Sequence, residues 1–215
     1  MRKALGRVRL GLVALAAVCI VLPVLAGTTL TFTTADPAAV IPDATGAFTA
    51  CQNITVAGMP TQITDVTVSV SAAHSWVGDL TLRLTSPGAS VLTLINRPGR
   101  LGAGFGNDDN LVSGTAITYS DTAASATSAE DQGDGCVGTI GVTAGCPDNY
   151  LPAPDATDTP IPGVGTNLAQ YDGADPNGVW QLCIADSGAG DTGTLTSWSI
   201  TVTSTPVELQ SFSIE

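Results

Sequence analysis

Apolar and polar residues alternate along several short stretches of the chain, and a two-residue period predicts strands. From Ile63 to Ser71 the alternation puts Val66, Val68 and Val70 on one face and polar side chains on the other. The same pattern recurs in three further stretches: Leu80–Thr85, Trp180–Ile184 and Trp198–Val202. A further strand, Val91–Ile95, is expected after the Ser86-Pro87-Gly88 turn. Short strands with one solvated face are typical of antiparallel sheets. The pattern therefore predicts an all-β protein, a β-sandwich or jelly roll.

The first 26 residues have the features of an export signal. A basic start containing Arg2, Lys3, Arg7 and Arg9 precedes an apolar run, and small residues at 24–26 suit cleavage after Ala26. An uncleaved membrane anchor is the alternative, but the run is short for a helix that needs about 20 residues to span a bilayer. We therefore expect an exported protein with a lead segment at 27–47, one domain at 48–204 and a tail at 205–215.

Residues 122–169 differ from the rest, because they are rich in Gly, Pro, Ala, Asp and Thr and poor in large apolar residues. We interpret them as an insertion at one end of the sandwich. Without the signal segment four cysteines remain, which suggests two disulfides with three possible pairings in an oxidising compartment. Cys136 and Cys146 are expected to pair locally and clamp the insertion, which leaves Cys51 with Cys183. Zinc is improbable, since the chain has no Cys-x-x-Cys and a single histidine.

Charge narrows the possible partners. The formal net charge is −12. Without residues 1–26, the only strong bases are Arg83, Arg97 and Arg100 against nineteen acids, a formal charge of −16. This imbalance excludes ordinary nucleic-acid binding, which requires clustered basic side chains. It favours a bound cation or a cationic partner.

Two separated blocks carry a specific resemblance. The first runs from His74 through Trp76, Gly78 and Asp79 to the Pro98-Gly99 turn, and the second runs from Asp175 to Ile200. In this order they resemble the P domain, or Homo B domain, of proprotein convertases and bacterial subtilisin-like serine proteases, over about residues 48–204. The resemblance implies a galactose-binding-like jelly roll of about eight antiparallel strands. It also implies a non-catalytic module that stabilises a protease and influences its calcium and pH dependence.

The motif residues have structural interpretations of their own. Gly78 is expected to need a backbone conformation barred to other residues, and Asp79 to hydrogen-bond the turn before Leu80. Trp180 and Trp198 are predicted core anchors with their indole N–H groups satisfied. The remaining residues assigned to the structural motif are His74, Trp76 and Gly193.

Serine-protease catalysis by this chain is not expected. A triad would have to use His74, and neither a Gly-x-Ser-x-Gly elbow nor the signatures of subtilisin-like proteases occur. Asp186-Ser187-Gly188 resembles an aspartic-protease loop, which leaves a dimeric aspartic protease as a minor alternative. A cell-surface carbohydrate-binding jelly roll is the other alternative. Its aromatic platform would have to use Tyr119, Tyr150 and Tyr171.

Calcium is the most credible cofactor, because it binds carboxylate and carbonyl oxygens in loops. Asp108 and Asp109 are adjacent in a Gly-rich loop, and Asp79 is expected to lie near them. Asp186 and Asp191 form a weaker second candidate. The expected partner is a protein, such as a protease.

Overall fold

The computed structural model describes residues 27–100, 104–122, 149–150 and 167–205. The predicted signal segment, the tail beyond Thr205 and both Cys136 and Cys146 lie outside these residues. The described part contains ten strands and two short 3-10 turns, Val77–Asp79 and Leu168–Tyr171. The strands are β1 Thr28–Thr33, β2 Ala39–Ile41, β3 Ala50–Val56, β4 Gln62–His74, β5 Leu80–Thr85, β6 Val91–Asn96, β7 Ala116–Ser120, β8 Asn149–Tyr150, β9 Gly178–Asp186 and β10 Gly193–Thr205.

The strands form two sheets. The six-stranded sheet has the order β1-β10-β4-β7-β8, with β2 pairing beside β1 on β10, and the four-stranded sheet has the order β3-β9-β5-β6. All pairs are antiparallel except β7 with β8, which is parallel. The predicted all-β sandwich is confirmed, with more strands than the expected eight and one parallel pair.

One hydrophobic core takes side chains from both sheets. Val66, Val68 and Val70 of β4 are buried, as their alternation predicts. In β5 the inward residues are leucines, while Arg83 and Thr85 lie on the outer face of the four-stranded sheet. The alternation thus assigns the faces of both sheets correctly.

The expected long-range disulfide is present. Cys51 of β3 and Cys183 of β9 lie directly opposite each other, with Cα atoms 4.1 Å apart, and are joined by a disulfide. Because β3 is an edge strand, the bond ties that edge to the centre of its sheet.

The segment at 27–47 is more than a lead, because it supplies two strands. β1 pairs with β10 along six residues, and cross-strand hydroxyl contacts join Thr29 to Thr203 and Thr31 to Thr201. This strand is mostly exposed, so it lacks the buried alternation by which the other strands are predicted. Among the described residues, no helix is long and apolar enough to cross a membrane.

Candidate functional site

Four charged or titratable side chains are buried together at one end of the sandwich. Each lies where a strand or turn ends: His74 at the end of β4, Asp79 at the end of the 3-10 turn, Asp186 at the end of β9, and Arg97 just after β6. Strand pairing brings them together, since Asp186 lies opposite Leu80, the residue after Asp79. We call these four residues the polar cluster.

His74 and Asp186 form the innermost contact of the polar cluster. His74 Nε2 lies 3.2 Å from Asp186 Oδ2, and both side chains have no exposed surface. His74 Nδ1 is 2.8 Å from the Trp76 carbonyl oxygen and 3.1 Å from the Trp76 amide nitrogen. Both ring nitrogens of His74 therefore have polar neighbours, the Trp76 backbone at Nδ1 and the Asp186 carboxylate at Nε2.

Asp186 has both carboxylate oxygens engaged. Oδ2 faces His74, and Oδ1 accepts a hydrogen bond from the Gly188 amide at 2.9 Å. Its own carbonyl accepts from the Gly46 amide at 2.6 Å, which fixes the end of β9 to the loop between β2 and β3. Asp186 therefore connects the end of β4, the turn after β9 and the loop that contains Gly46.

Asp79 and Arg97 form a buried ion pair. The Arg97 terminal nitrogen donates to Asp79 Oδ1 at 3.1 Å, and its Nε donates to the Gly78 carbonyl at 3.1 Å. Arg97 has a φ of 53°, a left-handed conformation that is uncommon outside glycine. The expectation that the Asp79 side chain bonds its own turn is wrong, because its carboxylate instead accepts from the charged guanidinium of Arg97.

The electrostatics of Asp79 follow from this burial. Loss of hydration raises the pKa of Asp79, and the nearby Asp186 carboxylate raises it further. Arg97 and His74 lower the pKa of Asp79, but their effect is smaller than the rise. Protonating Asp79 is therefore easier in the folded protein than in the unfolded chain.

Glycines let the backbone close around the polar cluster. A Cβ on Gly78 would lie 2.5 Å from the Asn107 amide nitrogen, and one on Gly193 would lie 2.5 Å from His74 Cδ2. A Cβ on Gly188 would overlap the Asp79 carboxyl group. Gly78 is not among the residues of positive φ, so close approach and not a special conformation explains it, contrary to the expectation.

The tryptophans of the motif have different roles. Trp180 is fully buried and donates from its indole to the Pro176 carbonyl at 2.8 Å, as predicted. Trp198 is buried too, but its indole nitrogen has no hydrogen-bond partner among the described residues, so that prediction is wrong. Trp76 is only partly buried and donates to the Phe105 carbonyl at 2.9 Å.

The loop expected to bind calcium lies against the 3-10 turn, as predicted. The Val77 amide donates to the Asp109 carbonyl at 3.0 Å, and the Gly78 amide donates to the Asn107 carbonyl at 2.9 Å. The Asp79 carboxylate nevertheless contacts Arg97, the Asp109 side chain is buried, and Asp108 is exposed. Within the described ranges, no group of three or more His, Cys, Asp or Glu side chains could hold a metal ion. These three carboxylates do not form one ligand set as they lie.

The weaker calcium pair and the aspartic-protease alternative both depend on Asp186. Its carboxylate is buried and engaged with His74 and Gly188, so it faces no surface that a substrate or ion could reach. Asp191 accepts a hydrogen bond from the Ser75 hydroxyl at 2.6 Å. The two aspartates therefore have separate structural partners.

The tyrosines do not form an exposed platform for a sugar. Tyr119 and Tyr171 are each only 1% exposed. Tyr171 donates to the Leu84 carbonyl at 3.0 Å, and its ring lies edge-on to Trp180. The side chain of Tyr150 lies outside the described part. Two of the three residues required for the carbohydrate-binding alternative are thus core residues.

Two solved structures resemble this chain in shape. One is the serine protease of Aeromonas sobria in complex with its chaperone, at 19% identity and a TM-score of 0.45, and the other is the same protease by itself, at 18% and 0.44. In both cases the similarity covers 85% of this chain, which spans 27% of the protease chain. No curated protein sequence matches.

The sequence itself carries the stronger similarity. It matches the proprotein convertase P-domain family over residues 63–130 and 163–202, together just over half of the chain. These ranges include all four members of the polar cluster, the buried tryptophans Trp180 and Trp198, and most of both long strands of the six-stranded sheet. The chain belongs to the proprotein convertase P-domain family.

Proposed function

We propose that this chain is an exported, non-catalytic P-domain module that binds and stabilises a protein partner in subtilisin-like proteolysis. Family membership supports the association with subtilisin-like proteases. The observation that carries the non-catalytic role is the burial of His74, the single histidine of the chain, whose side chain has no exposed surface.

A buried imidazole cannot act as a general base on a bound peptide, because proton transfer requires hydrogen-bond reach to the reacting group. The nearest hydroxyl in sequence, Ser75, donates to Asp191 and not to His74. The polar cluster instead joins β4, β9, the 3-10 turn and the segment after β6. Its role in this account is to fix the loops at one end of the sandwich.

A surface for a partner is available near this fixed end. Phe105 is 73% exposed, and its carbonyl is held by the Trp76 indole. A large apolar side chain on an anchored loop loses little freedom on binding, and aromatic residues are enriched at protein interfaces. We propose that this loop contributes to the contact with the partner.

Calcium and export are parts of the same proposal. The acidic loop at 107–110 and the charge of −16 support a bound cation, and melting of the protein in EDTA and in millimolar calcium tests it. Binding at a hundredfold excess over Kd would stabilise the fold by roughly 2.7 kcal/mol. The signal-like start and the Cys51–Cys183 disulfide support export, and the N-terminal residue of the secreted protein tests it.

Catalysis is tested by incubating the purified, oxidised chain with a mixture of unstructured peptides and measuring cleavage by mass spectrometry. We expect no cleavage above that of two separate control variants, His74→Ala and Asp186→Asn. Cleavage by the natural chain that disappears in either variant, with the variant still folded, would overturn the non-catalytic role.

A further inference from the structure

We propose that Arg83 forms a binding pocket for a carboxylate, supplied by an acidic side chain of a peptide or protein, on the outer face of the four-stranded sheet. This pocket lies away from the polar cluster and does not depend on the association with a protease. Its chemistry follows from how Arg83 is held and from what surrounds it.

The pairing of β5 with β9 determines which side chains line the pocket on the outer face of the sheet. Arg83 points away from the core because its neighbours Leu82 and Leu84 point into it. Cys183 of β9 lies opposite Arg83 on the same face. Together with the start of β6 and the loop before β3, these residues line an open pocket of about 210 Å³. The pocket is lined by Phe48, Arg83, Thr85, Val91, Gln181 and Cys183.

The guanidinium of Arg83 is oriented but not neutralised. Its central carbon lies 4.0 Å from the centre of the Phe48 ring, a cation–π contact that holds the group at this place. The contact of His74 with Asp186 and the ion pair of Arg97 with Asp79 do not involve Arg83. Burial lowers the pKa of Arg83, and among the described residues no carboxylate acts in the opposite direction.

Two polar atoms at this place lack partners. Arg83 Nε is buried and has no hydrogen-bond partner within the described part of the chain. Thr93, the residue opposite Arg83 on β6, has a buried hydroxyl oxygen that also lacks one. Both atoms are buried, so a ligand at this place would contact the only partly buried Arg83 through the terminal nitrogens of its guanidinium.

The side chains that line the pocket indicate which chemical class of ligand it would bind. A guanidinium offers a planar fork that matches the two oxygens of a carboxylate, and its single charge balances one negative charge. The other lining groups are neutral, so a doubly charged phosphate would be left half compensated. Phe48 and Val91 offer apolar surface for the methylene groups that precede the carboxylate of a glutamate side chain.

The test uses the full secreted chain and two probe peptides, acetyl-Ala-Glu-Ala-amide and its glutamine counterpart. Binding is followed by the NMR shifts of the backbone amides of Val91 and Gln181, which line the pocket and are retained in every variant. We expect a saturable shift with the glutamate peptide and none with the glutamine peptide. Arg83→Gln should weaken binding about tenfold or more, because it removes a charge-assisted hydrogen bond. Arg100→Gln, which removes the same charge elsewhere, should leave binding unchanged.

Three results would overturn the proposal. They are the absence of a saturable shift with the glutamate peptide, an equal shift with the glutamine peptide, and an equal effect of sulfate at matched ionic strength, which would indicate an unselective anion site. Folding of Arg83→Gln is checked by its melting curve. Arg83→Lys serves as a second variant, since it keeps the charge and loses the fork. Binding by Arg83→Lys as tight as that of the natural chain would also contradict the proposed geometry.

Discussion

The buried pair of Arg97 and Asp79 gives the sharpest stability prediction. Arg97→Gln removes the guanidinium that donates to Asp79 Oδ1 and to the Gly78 carbonyl. The two side chains are 10% and 4% exposed, so water cannot replace the lost donor. Asp79 would be left as a buried carboxylate near a second one, Asp186.

The expected loss of unfolding free energy is large because breaking a buried ion pair by removing one partner costs more than the intact pair contributes. Removing one partner of such a pair costs about 3–5 kcal/mol, because the other charge stays buried without compensation. For a chain of this size, that corresponds to a melting temperature lower by roughly 6–20 °C. Asp79→Asn in the same molecule removes the stranded charge, so the double variant should recover most of the loss made by Arg97→Gln.

Urea unfolding of the oxidised protein at pH 7 measures both effects in a double-mutant cycle. A control variant, Arg100→Gln, removes an equal charge from a partly exposed side chain and should cost less than about 1 kcal/mol. The reasoning fails if Arg97→Gln costs less than about 1 kcal/mol. It also fails if the cost of Arg97→Gln is the same whether residue 79 is Asp or Asn.

Three further predictions concern the same end of the fold and the disulfide. The folded-state pKa of Asp79 is raised above its ordinary value of 3.8, so the stability that this group contributes is greatest below pH 3.8 and is lost as pH rises through the folded-state pKa. Free energies of unfolding measured at several pH values should show this decrease, and those of Asp79→Asn should lack it. Gly188→Ala should destabilise the fold by about 1–3 kcal/mol because its Cβ would overlap the Asp79 carboxyl group, whereas Gly88→Ala, with its nearest atom 3.8 Å away, should change the melting temperature little. Replacing both Cys51 and Cys183 with Ser should lower the free energy of unfolding by up to about 5 kcal/mol, since the bond closes a loop with a sequence separation of 132; an unchanged urea midpoint would refute this.

Most of the sandwich could be predicted because apolar and polar side chains alternate over part of each of its longer strands. β4, β5, β6, β9 and β10 each contain a run in which apolar side chains recur at every second position, and this two-residue period is characteristic of a strand with one buried face. β1 was not predicted because both of its faces are largely exposed, and its threonines give no contrast between inside and outside. β2 and β8 are too short to show a period.

The polar cluster could be predicted only in part. The resemblance identified His74 and Asp79, but a linear motif does not show which side chain faces which. Arg97 was missed as the partner of Asp79, because that contact depends on the left-handed backbone at Arg97 and on the pairing of β5 with β6. One available signal was the scarcity of bases: beyond residue 26 only three arginines could neutralise a buried acid.

The central claim is that this chain stabilises a subtilisin-like partner without chemistry of its own. It is tested most directly by heating a subtilisin-like catalytic domain from the same organism, expressed without a P domain, with and without equimolar purified chain. Residual peptidase activity over time is the readout, and the chain alone is the blank. The account predicts slower heat inactivation with the chain present and no activity in the blank. An unchanged inactivation rate, or peptidase activity in the blank that His74→Ala abolishes, would contradict it.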